Sequence, residues 1–215
     1  KNLIIKELKT VADKFGKPRK TEIVYETQEA AAEDEEEQVP DYPVTVFVSK
    51  EGYLKKITAQ SLRMSGEQKF KEGDSLSFTR ETNNKAEFLV FTDQFQCYKS
   101  RLSDFEDGKA SLLGDYLPTK LGMDPGENVI RVLLPGDYKG FVLFFFENGK
   151  AAKVPLSAYE TKTNRRKLTG AYCDKSPLVS AMAMETDQQV ALYATDGRAL
   201  IFSTADLKLW FCRSL

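Results

Sequence analysis

Cations gathered between short apolar runs are the feature of this sequence best suited to chemistry. Lys162-Thr-Asn-Arg165-Arg166-Lys167 carries four positive side chains and no acid. Arg63, Lys69 and Lys71 follow an earlier apolar stretch, and Lys55 and Lys56 lie on its second arm. Lys and Arg at such positions neutralise phosphate oxygens without reading base edges, so the chemistry on offer is contact with a phosphate backbone. Thr161, Thr163 and Asn164 would add neutral hydrogen bonds to the same oxygens.

Other chemistries lack their residues. The chain contains no His, which excludes Ser-His-Asp and Cys-His dyads, His-ligated zinc and imidazole acid–base catalysis. Cys97, Cys173 and Cys212 are odd in number and widely spaced, which is neither a disulfide framework nor a zinc site. They read as buried or incidental thiols of a reducing compartment. Tyr159, Tyr172 and Tyr193 fall in strands or strand ends, with no Arg-Tyr pair beside them, and are expected to pack in a core or rim. Asp104 and Asp107 read as a solvated loop. No G-x-x-x-x-G-K-[ST] sequence occurs, so ATP hydrolysis is not expected here.

The formal net charge of −1, from 31 Lys+Arg and 32 Asp+Glu, argues at first sight against a nucleic-acid partner. The charge is segregated, however. Residues 1–38 hold seven cations and ten carboxylates, leaving the remainder at +2. The negative excess lies in Glu29–Glu37, which reads either as a solvated flexible linker or as an acidic segment competing intramolecularly for a basic surface.

The elements that would position the cations follow from periodicity. Leu3, Ile4, Leu8, Val11 and Phe15 fit one stripe of a short helix, which Gly16 ends and Pro18 keeps from resuming. Residues 1–16 are therefore expected to be helical, 17–42 an acidic linker, and 43–215 a β-rich body. Four segments of that body repeat: Val44–Tyr53, Phe88–Cys97, Phe141–Gly149 and Val190–Gly197. Each leads to a closing apolar residue, Leu62, Phe105, Tyr159 and Leu207, at intervals of 43, 54 and 48. Such a period, with several strands in each unit, predicts propeller-like blades.

Each unit reads as a meander. A first strand (Ser75–Arg80, Val129–Leu134, Leu178–Met184) reaches a polar turn, and a second runs into a tight hairpin. Asn148-Gly149 and Asp196-Gly197 are type I′ signals; Asp93-Gln94 lacks Gly and predicts a looser turn. Unit one starts without a leading strand, which implies either a strand supplied by Leu209–Cys212 or a cut ring; the cut is the favoured expectation. The longest apolar run, Phe141–Phe146, is strand-sized, and the N-terminus lacks a signal-peptide h-region. A cytoplasmic protein is expected, and the start at Lys1 suggests a fragment of something longer.

Glu7–Gly16 with Arg19-Lys-Thr-Glu-Ile23 resembles the end of the coiled-coil arm of bacterial type IIA topoisomerase A subunits, the gyrase A and topoisomerase IV A family. Gly52-Tyr-Leu-Lys-Lys-Ile57 resembles the first blade of that family's C-terminal domain. The resemblance covers essentially the whole chain. It implies an all-β β-pinwheel, a propeller-like ring of four-stranded blades with exchanged strands, preceded by a short helix. About four blades are visible, against the family's five or six. It also implies DNA wrapping as the function, with the rest of the A subunit, the ATPase subunit (the B subunit) and double-stranded DNA as partners, and no membrane. The catalytic tyrosine, ATP and Mg would act elsewhere. Arg63-Met-Ser-Gly-Glu-Gln-Lys69 stands where gyrase has its Gln-Arg-Arg-Gly-Gly-Lys-Gly box, which points to a topoisomerase IV-like or divergent protein. The charge pattern then makes Lys162, Arg165, Arg166, Lys167, Arg63, Lys69, Lys71, Lys55 and Lys56 the candidate DNA contacts.

Overall fold

A computed structural model describes residues 2–16, 39–64, 67–161 and 166–209. The chain divides into two units, residues 1–38 and 39–215. In the first, α1 (Asn2–Phe15) is the helix expected from the apolar spacing, and Ile4, Leu8, Val11 and Phe15 lie open on its surface.

In the second unit the described residues form β1 (Pro43–Ser49), β2 (Tyr53–Thr58), α2 (Ala59–Met64), β3 (Leu76–Asn83), β4 (Glu87–Thr92), β5 (Gln96–Arg101), β6 (Asp115–Tyr116), α3 (Leu117–Leu121), β7 (Val129–Leu133), β8 (Phe141–Phe146), β9 (Ala151–Pro155), β10 (Lys167–Thr169), β11 (Leu178–Met184), β12 (Gln189–Tyr193) and β13 (Ala199–Ser203). The strands make four separate sheets, ordered β3-β1-β2-β6, β10-β5-β4-β7, β11-β8-β9 and β12-β13. The four repeated segments each form an antiparallel hairpin, as expected.

The meander phase differs from the sequence reading. The strand read as opening each unit instead completes the preceding sheet: β3 pairs with β1, β7 with β4 and β11 with β8. The polar turn after it is a crossover between sheets rather than a bend within one. Unit one therefore lacks no leading strand; its sheet has four. A polar turn between two apolar strands gives the same sequence signal in both cases, and only packing separates them.

Strand exchange creates two inter-sheet cores. Val44, Val46 and Val48 of β1 face Phe88, Val90 and Tyr98, with Leu102 and Phe105 closing the layer. Leu89 and Phe91 of β4 face Val142, Phe144 and Phe146 of β8. The aromatic rings there meet edge to face, Phe91–Phe144 at 5.2 Å and Phe91–Tyr159 at 5.3 Å, while Phe144 and Tyr172 stack at 5.4 Å. Alternation along β8 sends Phe144 and Phe146 into this core and leaves Phe145 half-buried.

The hairpin turns correct the type I′ expectation: Asn148 and Asp196 do not take positive φ, and the loops run over residues 147–149 and 195–197, closed by the Gly149 amide on the Phe146 carbonyl and the Gly197 amide on the Ala194 carbonyl. Such a loop needs a left-handed residue only at its last position. Gly149 and Gly197 take positive φ, whereas in the β4–β5 turn Phe95 does so, at φ 59°. The Phe95 amide donates to the Tyr172 hydroxyl, its carbonyl accepts from the Ala171 amide, and its ring lies 5.5 Å from that of Tyr172. At Gly140, φ is +82° and a Cβ would lie 2.2 Å from the Met184 carbonyl oxygen. Gly140→Ala is therefore expected to destabilise the fold by about 2–4 kcal/mol through left-handed strain and backbone overlap, measured by urea unfolding.

Candidate nucleic-acid interface

The nine candidate cations separate by burial. Lys55 and Lys56 are neighbours on β2 and point to opposite faces of the first sheet, and both are 3% exposed. Lys56 Nζ donates to Asn84 Oδ1 at 2.7 Å and lies 3.1 Å from Asp107 Oδ1. Lys55 Nζ donates to the carbonyls of Lys69 at 2.6 Å and Ala110 at 3.3 Å, and sits 4.9 Å over the Phe70 ring. Among the described residues it has no carboxylate partner, and burial alone lowers its pKa. These two lysines are internal, which corrects the expectation that they reach a phosphate backbone. Adjacent Lys-Lys on a strand looks like a solvated arm until both faces of its sheet prove to be covered. Asp107 stays exposed in its loop, but it is not without partners: it accepts from Tyr42 at 2.7 Å and pairs with Lys56.

The other described candidates lie at the surface. Arg63, Lys69 and Arg166 are exposed and have no side-chain ion pair among the described residues. Arg63 closes α2, and Lys69 is tied by its amide to the Ala110 carbonyl at 2.9 Å. Just before β10, the Arg166 carbonyl accepts the Lys99 amide at 2.8 Å. Lys71 and Lys167 are paired, to Glu51 and Asp124, each at 2.7 Å. The carboxylate of Glu51 raises the Lys71 pKa, and that of Asp124 raises the Lys167 pKa, so both remain cations. Exposed pairs of this kind contribute little and can exchange their carboxylate for a phosphate. Lys162 and Arg165, with Thr163 and Asn164, lie outside the described residues.

Lys56 belongs to a series that sequence reading missed. Lys56, Lys99 and Lys153 stand opposite Val46, Leu89 and Leu143 in their hairpins, each six residues ahead of its closing apolar residue. Each reaches the crossover turn that opens the next sheet. Lys56 meets Asn84; Lys153 donates to Asp187 at 2.6 Å; Lys99 lies 5.1 Å from the Tyr138 ring and shares Glu87 with the Tyr138 hydroxyl. In the fourth hairpin the position is Ile201, opposite Ala191 and exposed. The lysines thus link successive sheets, and alignment of the four units already carried the signal.

Of the three tyrosines expected to pack, Tyr159 and Tyr172 are buried, whereas Tyr193 is exposed on β12, whose sheet has two strands among the described residues; this corrects the expectation for it. Among the described residues, no group of three or more Cys, Asp or Glu could hold a metal ion, and no helix is long and apolar enough to cross a membrane. Cys97 is buried, and burial pushes its thiol pKa far up.

No family model matches the chain. It is 27% identical over 211 residues to the A subunit of DNA topoisomerase 4 from Staphylococcus aureus, a match covering 96% of this chain and 26% of that protein. Its fold is that of the C-terminal domain of DNA topoisomerase IV, with TM-score 0.70 and 25% identity over 81% of this chain and 55% of that one. The chain resembles the C-terminal β-pinwheel of topoisomerase A subunits. It spans about a quarter of the length of the curated relatives it matches. The E. coli ParC C-terminal domain shares the fold at TM-score 0.60, 19% identity and 80% coverage of this chain, 69% of that one. The DNA gyrase A C-terminal domain does so at 0.53, 16% and 79%, covering 57% of its own chain. As in the expected pinwheel, strands are exchanged between successive sheets, and the sheets do not close.

Proposed function

We propose that this chain is a non-catalytic DNA-binding and DNA-bending domain of an ATP-dependent type II topoisomerase, within its A subunit, topoisomerase IV-like or a divergent gyrase. It holds a duplex segment for passage through a break made elsewhere in the enzyme. The observation that carries this reading is the match of the strand-exchanged sheets to the C-terminal domain of DNA topoisomerase IV, on a chain that aligns nearly end to end with part of a topoisomerase 4 protein. The exposed cations Arg63, Lys69 and Arg166 suit it, since a bent duplex is held by its phosphates and discriminated by its deformability. Its partners are duplex DNA, the rest of the A subunit, and the ATPase subunit. It needs no cofactor of its own and works in the cytoplasm, at the nucleoid.

Exposed Leu200, Ile201 and Tyr193 on the fourth sheet favour a second reading, a protein-binding module without DNA affinity. A gel shift of the chain with duplex DNA across a salt series separates the two. Binding that weakens steeply with salt supports the DNA reading; indifference to duplex at low salt leaves the protein module.

A further inference from the structure

A cleft of about 460 Å³ opens between α2 and the turn at residues 109–111. Thr58, Gln60, Ser61 and Ser111 line it with hydroxyl and amide groups, Lys109 supplies a cation, and Met64 and Ala110 add apolar surface. Among the described residues, no carboxylate lines it. The acid nearest in sequence to Lys109, Asp107, is occupied by Lys56 and by the Tyr42 hydroxyl.

The wall of this cleft has a second source of positive charge. The carbonyl of Ala110, a lining residue, accepts from the buried ammonium of Lys55. The three linking lysines Lys56, Lys99 and Lys153 each have a carboxylate within ion-pair distance, and Lys55 has none among the described residues. A buried cation held, among the described residues, by two carbonyl oxygens and the face of the Phe70 ring, with no carboxylate, keeps part of its charge uncompensated in a low-dielectric wall, and its field extends into the opening beside it. Burial works against that charge, which is why the Lys55 pKa is lowered; an anion seated in the cleft would offset the cost.

We infer that this cleft is a seat for a phosphate group, held by Lys109 and the Ser61 and Ser111 hydroxyls, with Lys55 as the charge behind it. The phosphate is that of a duplex backbone or a free ion; the first source rests on the DNA-binding reading above. Lys109 does not stand among the cations that the sequence pattern singles out. It occupies the segment after a closing residue, Phe105, as Arg63 follows Leu62 and Arg166 follows Tyr159. The fold brings Lys109 beside α2, in the adjoining unit of the repeat.

The test uses the whole chain in two arms. In the first, Lys109→Gln and Ser111→Ala are compared with the parent for duplex affinity over a salt series. Lys109→Gln is expected to lower affinity roughly five- to tenfold near 0.1 M salt and to flatten the salt slope by about 1. In the second, inorganic phosphate is titrated while the backbone amide resonances of Ser61, Lys109 and Ser111 are followed by NMR. Saturable shifts that Lys109→Gln abolishes are expected. Unchanged duplex affinity and slope in Lys109→Gln, with duplex still bound by the parent, overturn the duplex source and leave DNA binding to other residues. Saturable shifts in a chain that does not bind duplex establish the free-phosphate source and overturn the DNA reading instead. Absence of shifts together with an unchanged slope overturns the seat itself.

Discussion

Replacing Arg63, Lys69 and Arg166 together by alanine is expected to lower duplex affinity about 10²–10³-fold near 0.1 M salt and to flatten the dependence of log affinity on log salt by about 2 to 3. These three carry exposed charge that no carboxylate neutralises among the described residues. Each phosphate contact releases condensed counterions, so the loss grows as salt falls. The circular dichroism and the urea midpoint are expected to be unchanged, since none of the three side chains is buried. A variant that keeps the parental slope would place the contacts elsewhere on the molecule. Adding Lys71→Ala and Lys167→Ala is expected to cost less per residue, because each already holds a carboxylate that a phosphate must displace.

Lys56→Ala is expected to lower stability by about 2–4 kcal/mol in urea unfolding, with little effect on charge contact. Lys56 and Asn84 are both 3% exposed. The substitution leaves Asn84 Oδ1 without its donor and opens space beneath the Tyr42 ring, 5.9 Å from the ammonium. Asn84 also holds the crossover turn, since its amide donates to the Tyr42 carbonyl at 2.9 Å and its side chain to the Pro40 carbonyl at 3.0 Å. Loss of the lysine therefore loosens the step from the first sheet to the second. Lys85→Ala, in the same turn but exposed, is the control and is expected to change stability by no more than about 0.5 kcal/mol. Equal effects at the two positions would mean that Lys56 is not a link between sheets.

The contrast between Lys56 and Arg63 shows what periodicity can carry. Hairpins at Asn148-Gly149 and Asp196-Gly197 were legible because each loop needs Gly at its left-handed position; the loop length was not, since the same residue pair serves a type I′ turn and a longer loop alike. The strands at 129–133 and 178–184 were legible because their apolar runs are bounded by turn residues. Their membership was not, since β7 and β11 complete the preceding sheet through long-range pairing that leaves no local mark. Burial of Lys55 and Lys56 was hidden for the same reason: whether a strand lysine is solvated depends on what covers each face of its sheet. Of the candidate site, exposure of Lys69 and Arg166 followed from loop position, whereas Arg63, read as a loop residue, is exposed on the last turn of α2. Lys109 did not stand out as a single cation in a mixed stretch, Glu106-Asp-Gly-Lys109, until Lys56 removed Asp107 from it. Phe95 is the converse case, a left-handed residue without glycine, which the surrounding Tyr172 contacts hold in place.

Phosphate contact is the claim on which the proposed function depends. Duplex affinity of the intact chain between 50 and 200 mM salt measures it most directly. Four or so contacts from the exposed cations give an expected slope of about −3 to −5 in log affinity against log salt, a loss of roughly 10²-fold across that range. Affinity that does not change with salt, or no binding at 50 mM, would contradict it.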